Sequence, residues 1–515
     1  MKKLMAVLLA GLMVLSMAAC GNSGSKAPAS QGGASGDSGK KSSKDTLVYA
    51  NYQDCPTFDP AQDTNGVMYR EYVFDHLFYL EPDGSYTPQL ATEWKWTDDL
   101  HLELTLREGV KFSNGNPFTA DDVIYSMEHY AAGPMGQNYA MIEKMEKTDD
   151  THMTITFNTL PAMFIVQNAT SQGFILDKEY CEANPDKIDT EPIGTGRYVL
   201  ESWTVGDSCV FKANDSYWGE KPIISTVRVR VIAEATQRMI ELQSGGVDLA
   251  CSLNYAESEN LKSAGLNVLA VPGNIVQTLF LNTVESHKLS NEKLRQALMS
   301  CIDRDALTKG VTNGAGVACY GVVAPGFPGF YDKMKDYNPY PQDFAKAKEL
   351  LAEAGYADGV TLDVVYNDKP SNNSEVEILQ NQLSQAGISL NITKGDFGTA
   401  LGIALNREGA WDIFLLGNGG VSSPTNFNFY DRALGAPFAK LVDEEGLKLI
   451  DKIYATNDAE AQYKASYDAQ QYMADHVLSI PLFSEYSVFG YAKNLQGVQA
   501  DAGGNTIQAW KCWFE

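Results

Sequence analysis

The sequence is short of the residues that carry out chemistry. Only six histidines occur in 515 residues, His76, His101, His129, His152, His287 and His476. They are scattered, and none accompanies a nucleophile motif, which removes the usual basis for triad-type hydrolysis. No H-E-x-x-H and no G-x-x-x-x-G-K-[ST] occurs, so zinc-peptidase chemistry and phosphate cradling have no motif to rest on. Positive charge is scarce as well: 40 Lys and Arg stand against 65 Asp and Glu, for a formal charge of −25. Such a balance argues against nucleic acid and against broad docking on anionic lipid. Among the eight cysteines there is no C-x-x-C pair, and no histidine stands at metal spacing. The carboxylate pairs Asp98–Asp99 and Asp121–Asp122 are explained by a turn and a helix start rather than by acid–base work. No enzyme activity, cofactor or metal is therefore expected.

What is present begins at the first residue. Met1-Lys2-Lys3 is basic, Leu4 to Leu15 is apolar, and Ser16-Met17-Ala18-Ala19-Cys20 ends on small residues and a cysteine. This is the pattern of a secretory leader, too short to remain as a membrane span. The cysteine at the cleavage point resembles a bacterial lipoprotein box, with Met17 in place of the usual leucine, which implies acylation of Cys20 and a membrane tie through that lipid. Gly21 to Lys44 is almost wholly Gly, Ser, Ala, Lys and Gln. Such composition does not fold and gives a flexible tether of roughly 25–30 Å. If Cys20 is acylated, seven cysteines remain, an odd number, so at least one thiol stays free. A body this large needs no disulfide staples.

Downstream of Lys44 the patterns are those of a large α/β body. Thr46–Ala50 reads as a strand, and Val67 to Tyr79 has apolar and aromatic residues at helical spacing. His101–Leu106 alternates cleanly, and Thr119 caps a helix over Ala120–Tyr130 with Asp121 and Asp122 in its first turn. Val360–Tyr366, Ile388–Ile392 and Trp411–Leu416 read as strands, Glu375–Ala386 as a helix, and Gly355 sits where a helix C-cap favours glycine. Alternation of strands and helices implies an α/β architecture.

The stretch from Leu90 to Tyr130 resembles the signature of family 5 extracellular solute-binding proteins. Further motifs of that family follow in order: Gly194-Thr195-Gly196-Arg197-Tyr198 (with Arg197 for the usual proline), Asn214 to Gly219, Ser244 to Asp248, Arg295-Gln296-Ala297 with Asp303-Arg304, Ala347 to Tyr356, and Ile480-Pro481-Leu482-Phe483. The resemblance covers nearly all of 45–515. It implies a two-lobed periplasmic-binding-protein fold, type II, with an extra subdomain. On that pattern lobe I is 45–81, 191–281 and 484–515, the insert is 82–190, and lobe II is 283–483. It further implies a monomeric receptor that captures a small solute, most commonly a short oligopeptide, and hands it to an ABC permease with its ATPase subunits. A nickel or other metal chelate, an oligosaccharide, or a non-transport sensor role are the alternatives.

Trp94, Trp96, Phe112, Asp121 and Asp122 are expected to build the insert. Ligand contacts belong where strands end at the cleft: Tyr52, Gln53 and Asp54; Asn254 and Tyr255; Phe280 and Asn282; and Trp411 with the glycine-rich loop holding Asn418, Gly420, Ser422 and Ser423. Peptide receptors of the family carry a loop aspartate that pairs with the peptide's ammonium group. Here Gly420 and Ser423 occupy the matching places, and the one acid between Trp411 and Phe427 is Asp412. Either another acid, such as Asp54 or Asp63, supplies that anchor, or the ligand has no free amine.

Overall fold

The computed structural model describes residues 42–63, 66–134, 136–170, 172–406, 409–430 and 442–515; Cys20 and most of the expected tether lie outside them. Its spine is an eleven-stranded sheet built from β1 (Thr46–Asn51), β2 (Tyr198–Thr204), β3 (Ser208–Ala213), β4 (Thr226–Val231), β5 (Leu249–Ala250), β6 (Asn267–Leu281), β7 (Gly316–Ala318), β8 (Val360–Asn367), β9 (Ile388–Gly395), β10 (Ile413–Gly419) and β11 (Ser479–Tyr491). The order across the sheet is β9-β8-β10-β6-β11-β5-β1-β4-β3-β2, with β7 on β11. The two long strands β6 and β11 run antiparallel through the middle, with register shifts between Pro272 and Val276 and between Gln277 and Thr278. An irregular ladder frees residues to point away from it, and Asn274 and Ile275 lie there.

Hydrophobic cores segregate on either side of these strands. One cluster joins Leu47, Tyr49, Tyr72, Phe211, Val229, Phe489 and Phe514. On the other side Leu294, Leu298, Leu351, Val364, Leu379 and Ile480 form a second, and Phe280, Trp411, Phe414 and Phe427 a third. Residues 61–175 make a core of their own around a four-stranded sheet, in which Leu102, Leu104, Phe112, Val123 and Ile155 are buried. Trp94 packs edge-on against Phe78 at 4.9 Å. Asp122 completes the capping box with Thr119 at the start of the helix Ala120–Ala132.

The residues that carry the motifs act as clamps on the backbone. The Gly196 N–H donates to the Val73 carbonyl oxygen at 2.8 Å, and a Cβ on Gly194 would fall 2.1 Å from that oxygen. This capture ends the helix at Val73 rather than letting it run to Tyr79; Phe74 turns extended and Phe78–Leu80 becomes a short strand. Just beyond, the fully buried Asp75 accepts from Gln89 Nε2 (2.8 Å), Thr195 Oγ1 (3.0 Å) and Trp218 Nε1 (2.9 Å), with Arg197 3.9 Å away. The glycine-threonine turn and the tyrosine-tryptophan segment thus meet on one carboxylate. Asp248 receives Lys44 Nζ at 2.6 Å and the Val48 N–H at 2.9 Å. Ser43 N–H already bonds the Phe514 carbonyl at 3.0 Å. Gly355 takes φ +89° at the end of its helix, and all seven cysteines of the body are unpaired and buried.

One buried group gives the fold a pH dependence. Glu375, on the helix Pro370–Ser384, is 1% exposed and one of its carboxylate oxygens has no hydrogen-bond partner. Burial pushes it up to about 8, with Lys369 pulling it down and Glu485 pushing it further up. A carboxyl whose folded value is raised favours the folded state fully below its unfolded value and loses that contribution as pH rises through 8. Glu375→Gln is therefore expected to match the parent at pH 5 and to be more stable by about 2–4 kcal/mol at pH 8.5. Parallel stability curves in chemical denaturation would refute this.

Candidate functional site

A cavity of about 590 Å³ opens where β1, β6, β10 and β11 come together. Its floor is set by local geometry. Asn51 ends β1 and donates to the Gln53 carbonyl at 2.9 Å, and Tyr69 Oη donates to the same carbonyl at 2.6 Å. This fixes the turn that puts Tyr52 and Gln53 on the wall, Tyr52 with 47% of its surface exposed. Ser252, at the end of β5, also lines the wall and is held at φ +50°. That conformation costs about 1 kcal/mol for a residue with a side chain. Arg238, itself buried, holds it in place by donating to the carbonyls of Cys251 (2.9 Å), Ser252 (2.6 Å), Ile232 (2.7 Å) and Ala233 (2.7 Å).

The opposite wall is the glycine-rich loop. Ile275 lies across β10, where a Cβ on Gly417 would fall 2.6 Å from its Cγ2 and one on Gly419 3.1 Å from its Cγ1. Gly420 is equally confined, since a Cβ there would meet Asn426 N at 2.7 Å. These glycines permit close approach of backbone and neighbour. Gly419, Gly420, Val421 and Thr425 line the cavity, and Thr425 Oγ1 ties the loop by accepting from the Val421 and Ser422 N–H groups at 3.0 Å. The cavity continues into a second of about 460 Å³, lined by Lys369 and Glu485.

Of the residues expected at the cleft, Tyr52, Gln53 and Gly420 lie on the cavity wall. Asp54 turns away, its carboxylate taken by Trp203 Nε1 (3.1 Å) and the Gly206 N–H (2.7 Å). Asn254 caps the turn Tyr255–Glu257, and the Tyr255 ring packs on Tyr486 at 5.9 Å, both just past the wall. Ser422 caps the short helix Ser423–Phe427. Ser423 bonds Ser466 at 3.1 Å, and Asn418 donates to the Asn426 carbonyl at 3.0 Å while its own oxygen is unpartnered. Phe280, Asn282 and Trp411 are buried in the core away from the cavity, and Asn282 bonds the Trp411 carbonyl at 3.1 Å. Asp412 is committed to Lys288 at 2.9 Å and to the Asp363 N–H.

Among the described residues, the acids that do face the cavity are Glu71 and Asp501. Asp501 accepts from the N–H groups of Asn505 (2.8 Å) and Thr506 (3.0 Å). Glu71 makes no hydrogen bond or ion pair with a described residue. Burial first, then the nearby Asp501, pushes its carboxyl up to about 8 against the pull of Arg197. Burial likewise raises Asp501, opposed by those two backbone donors. Neither residue belongs to a motif: Glu71 sits inside an apolar helical run, and Asp501 near the C-terminus in a turn of small residues. Among the described residues no group of three or more His, Cys, Asp or Glu is placed to hold a metal, and no helix is long and apolar enough to cross a membrane.

The model of the bacterial extracellular solute-binding proteins, family 5 middle region, matches residues 85–438. The chain belongs to that family. Among relatives of this family 5 protein, a dipeptide-binding protein of Escherichia coli K12 is 28% identical over 475 residues, 84% of this chain and 87% of the relative. Heme-binding protein A of Haemophilus influenzae is 29% identical over 426 residues, 76% of each. In three dimensions the family 5 chain superposes on HbpA2 from Haemophilus parasuis with a TM-score of 0.82 at 22% identity, covering 91% of this chain and 100% of that one. The architecture is the two-lobed α/β fold of periplasmic binding proteins.

Proposed function

We propose that this protein is the lipid-anchored, extracytoplasmic receptor of an ABC importer, tied to the membrane through Cys20, and that it closes its two lobes around a short peptide and delivers it to the permease. On this reading lobe I is 45–81, 191–281 and 484–515, the insert 82–190 and lobe II 283–483. The observation that carries the ligand class is the cavity itself. At about 590 Å³ it has the size of a small-ligand site, and its wall offers hydroxyls, amides and two carboxyls. Heme carries two anionic propionates, and a wall whose charged groups among the described residues are two acids opposes them. A short peptide presents amide and ammonium groups that suit this wall, and its single carboxylate can face Lys369 of the adjoining cavity. Closure follows from ligand contacts made to both lobes at once, stabilising the closed state by the difference in affinity between the two states. Capture rather than turnover is the use that accords with the solute-binding family.

Mass spectrometry of the chain extracted from membranes tests both parts of this reading. Under native conditions the expected spectrum is a ladder of adducts spaced by amino-acid residue masses. Under denaturing conditions the ladder disappears while a diacylglyceryl increment remains on Cys20. A single discrete adduct or a metal isotope pattern would refute the peptide reading, and an unmodified Cys20 would refute the anchor.

A further inference from the structure

The cavity has a fixed charge pattern. Among the described residues Glu71 and Asp501 are its only charged lining residues, and no lysine, arginine or histidine shares the wall with them. Arg197, the guanidinium whose charge acts on Glu71, is already engaged. It lies 3.9 Å from the buried Asp75 and over the rings of Trp510 (5.0 Å) and Tyr217 (5.1 Å), outside the lining. The other titratable groups facing Glu71 are the phenols of Tyr72 and Tyr79, both driven by burial far above the range in which they ionise. Lys369 lines only the adjoining cavity, beside Glu485. The carboxylate of Glu71 thus lines a ligand-sized space with no hydrogen-bond or ion-pair partner among the described residues.

Two carboxyls in one enclosed, partly dry site cannot both ionise at little cost unless a cation joins them. A protein that merely packed this region would neutralise such a pair with one of its own cations or leave it to solvent. The geometry points to Glu71 and Asp501 as the seat of the solute's cationic group, a primary ammonium, held by lobe I instead of by an acid in the glycine-rich loop of lobe II. This rests on the cavity being the solute site, as proposed above, and it names what that site demands of its ligand. The loop that lacks an aspartate then plays a different part, in which its glycines bring bare backbone against the rest of the solute.

A titration signature follows. The empty pair holds a proton near neutrality, because Glu71 is pushed up to about 8. Seating an ammonium favours the ionised carboxylate, so binding expels that proton, and affinity rises by up to tenfold per pH unit between pH 6 and 8. Above about pH 8 a peptide α-amino group begins to lose its own charge, and the gain stops.

Calorimetry with the full chain in detergent, using a dipeptide mixture, the same mixture N-acetylated, and 1,4-diaminobutane, tests the assignment. The free dipeptides are expected to bind with release of about one proton at pH 7. N-acetylation is expected to weaken binding at least 30-fold. Glu71→Gln and Asp501→Asn, which keep the shape and leave the ligand-free melting temperature within a few degrees, are each expected to weaken the free dipeptides to a similar degree; Glu71→Gln is also expected to abolish the pH slope, which Asp501→Asn keeps in part because burial still holds Glu71 up. Equal binding of the acetylated and free mixtures, or unchanged affinity in both variants, would overturn the assignment while leaving the peptide reading intact. Binding of diaminobutane alone, lost in Glu71→Gln, would uphold the assignment and overturn the peptide reading. No binding by any of the three, with a neutral or anionic solute carried through purification, would overturn both.

Discussion

Arg295→Met is expected to destabilise the protein by about 3–5 kcal/mol. Arg295 is 5% exposed and serves five hydrogen bonds to four backbone carbonyls: Nε to Val477 (3.0 Å) and His476 (3.2 Å), Nη1 to Leu289 (2.9 Å) and Ser290 (3.1 Å), and Nη2 to His476 (3.0 Å). It ties the approach to β11 to the loop before its own helix, Glu292–Met299. Methionine fills similar volume, so the loss isolates the hydrogen bonds, and the buried carbonyls of Val477 and Leu289 lose their donor. Arg295→Lys should recover only a fraction, because an ammonium cannot fork to carbonyls on several sides. The measurement is the denaturant midpoint of the ligand-free chain; a shift equivalent to less than 1 kcal/mol would show that the carbonyls find other partners.

Asp75→Ala should cost a similar amount, about 3–5 kcal/mol, for a different reason. It deletes the common acceptor of Gln89, Thr195 and Trp218 and removes the charge beside Arg197. Three buried donors and a partly buried guanidinium are then uncompensated. Asp75→Asn tests the electrostatic share: it retains one acceptor oxygen but places an NH2 group against donors, so only a modest recovery is expected. Near-parent stability in Asp75→Asn would show that the charge contributes little. Because Asp75 lies outside the cavity lining, folded fractions of either variant should bind solute normally, which separates this clamp from the binding acids.

These clamps explain which parts of the molecule the sequence disclosed. Of the residues forming recognisable motifs, Thr195 and Trp218 anchor the buried Asp75 carboxylate, while Asp248, Arg295 and Arg304 hold backbone; Arg304 Nε, for instance, donates to the Pro481 carbonyl at 2.7 Å. Local rules of helix, strand and turn suffice to find them, and they reveal the fold. The helix over Val67–Tyr79 failed because a tertiary contact, Gly196 on Val73, overrode local periodicity. The site is less legible for a geometric reason. Phe280 and Asn282 stand at the C-terminal end of β6, but β6 is antiparallel to β10. Their end therefore aligns with the start of β10, where Phe280 pairs with Phe414, while Ile275 pairs with Gly419 at the cavity end. Choosing contacts by strand end requires knowing strand direction, and direction is not written in a single strand's sequence. Glu71 and Asp501 meet only because β11 returns the chain through the middle of the sheet.

That return stroke bears on how the molecule is made. β11 is laid down last among the large sheet's strands yet sits between β6 and β5, so the two flanks of the sheet are not joined until residues 479–491 have arrived. A chain whose family works outside the cell must cross a membrane, N-terminus first. A half-threaded molecule therefore lacks its central strand on the far side and cannot lock prematurely on the near side. Non-local closure of this kind is intrinsically slow, and the final strand is the event that joins the two halves of the sheet.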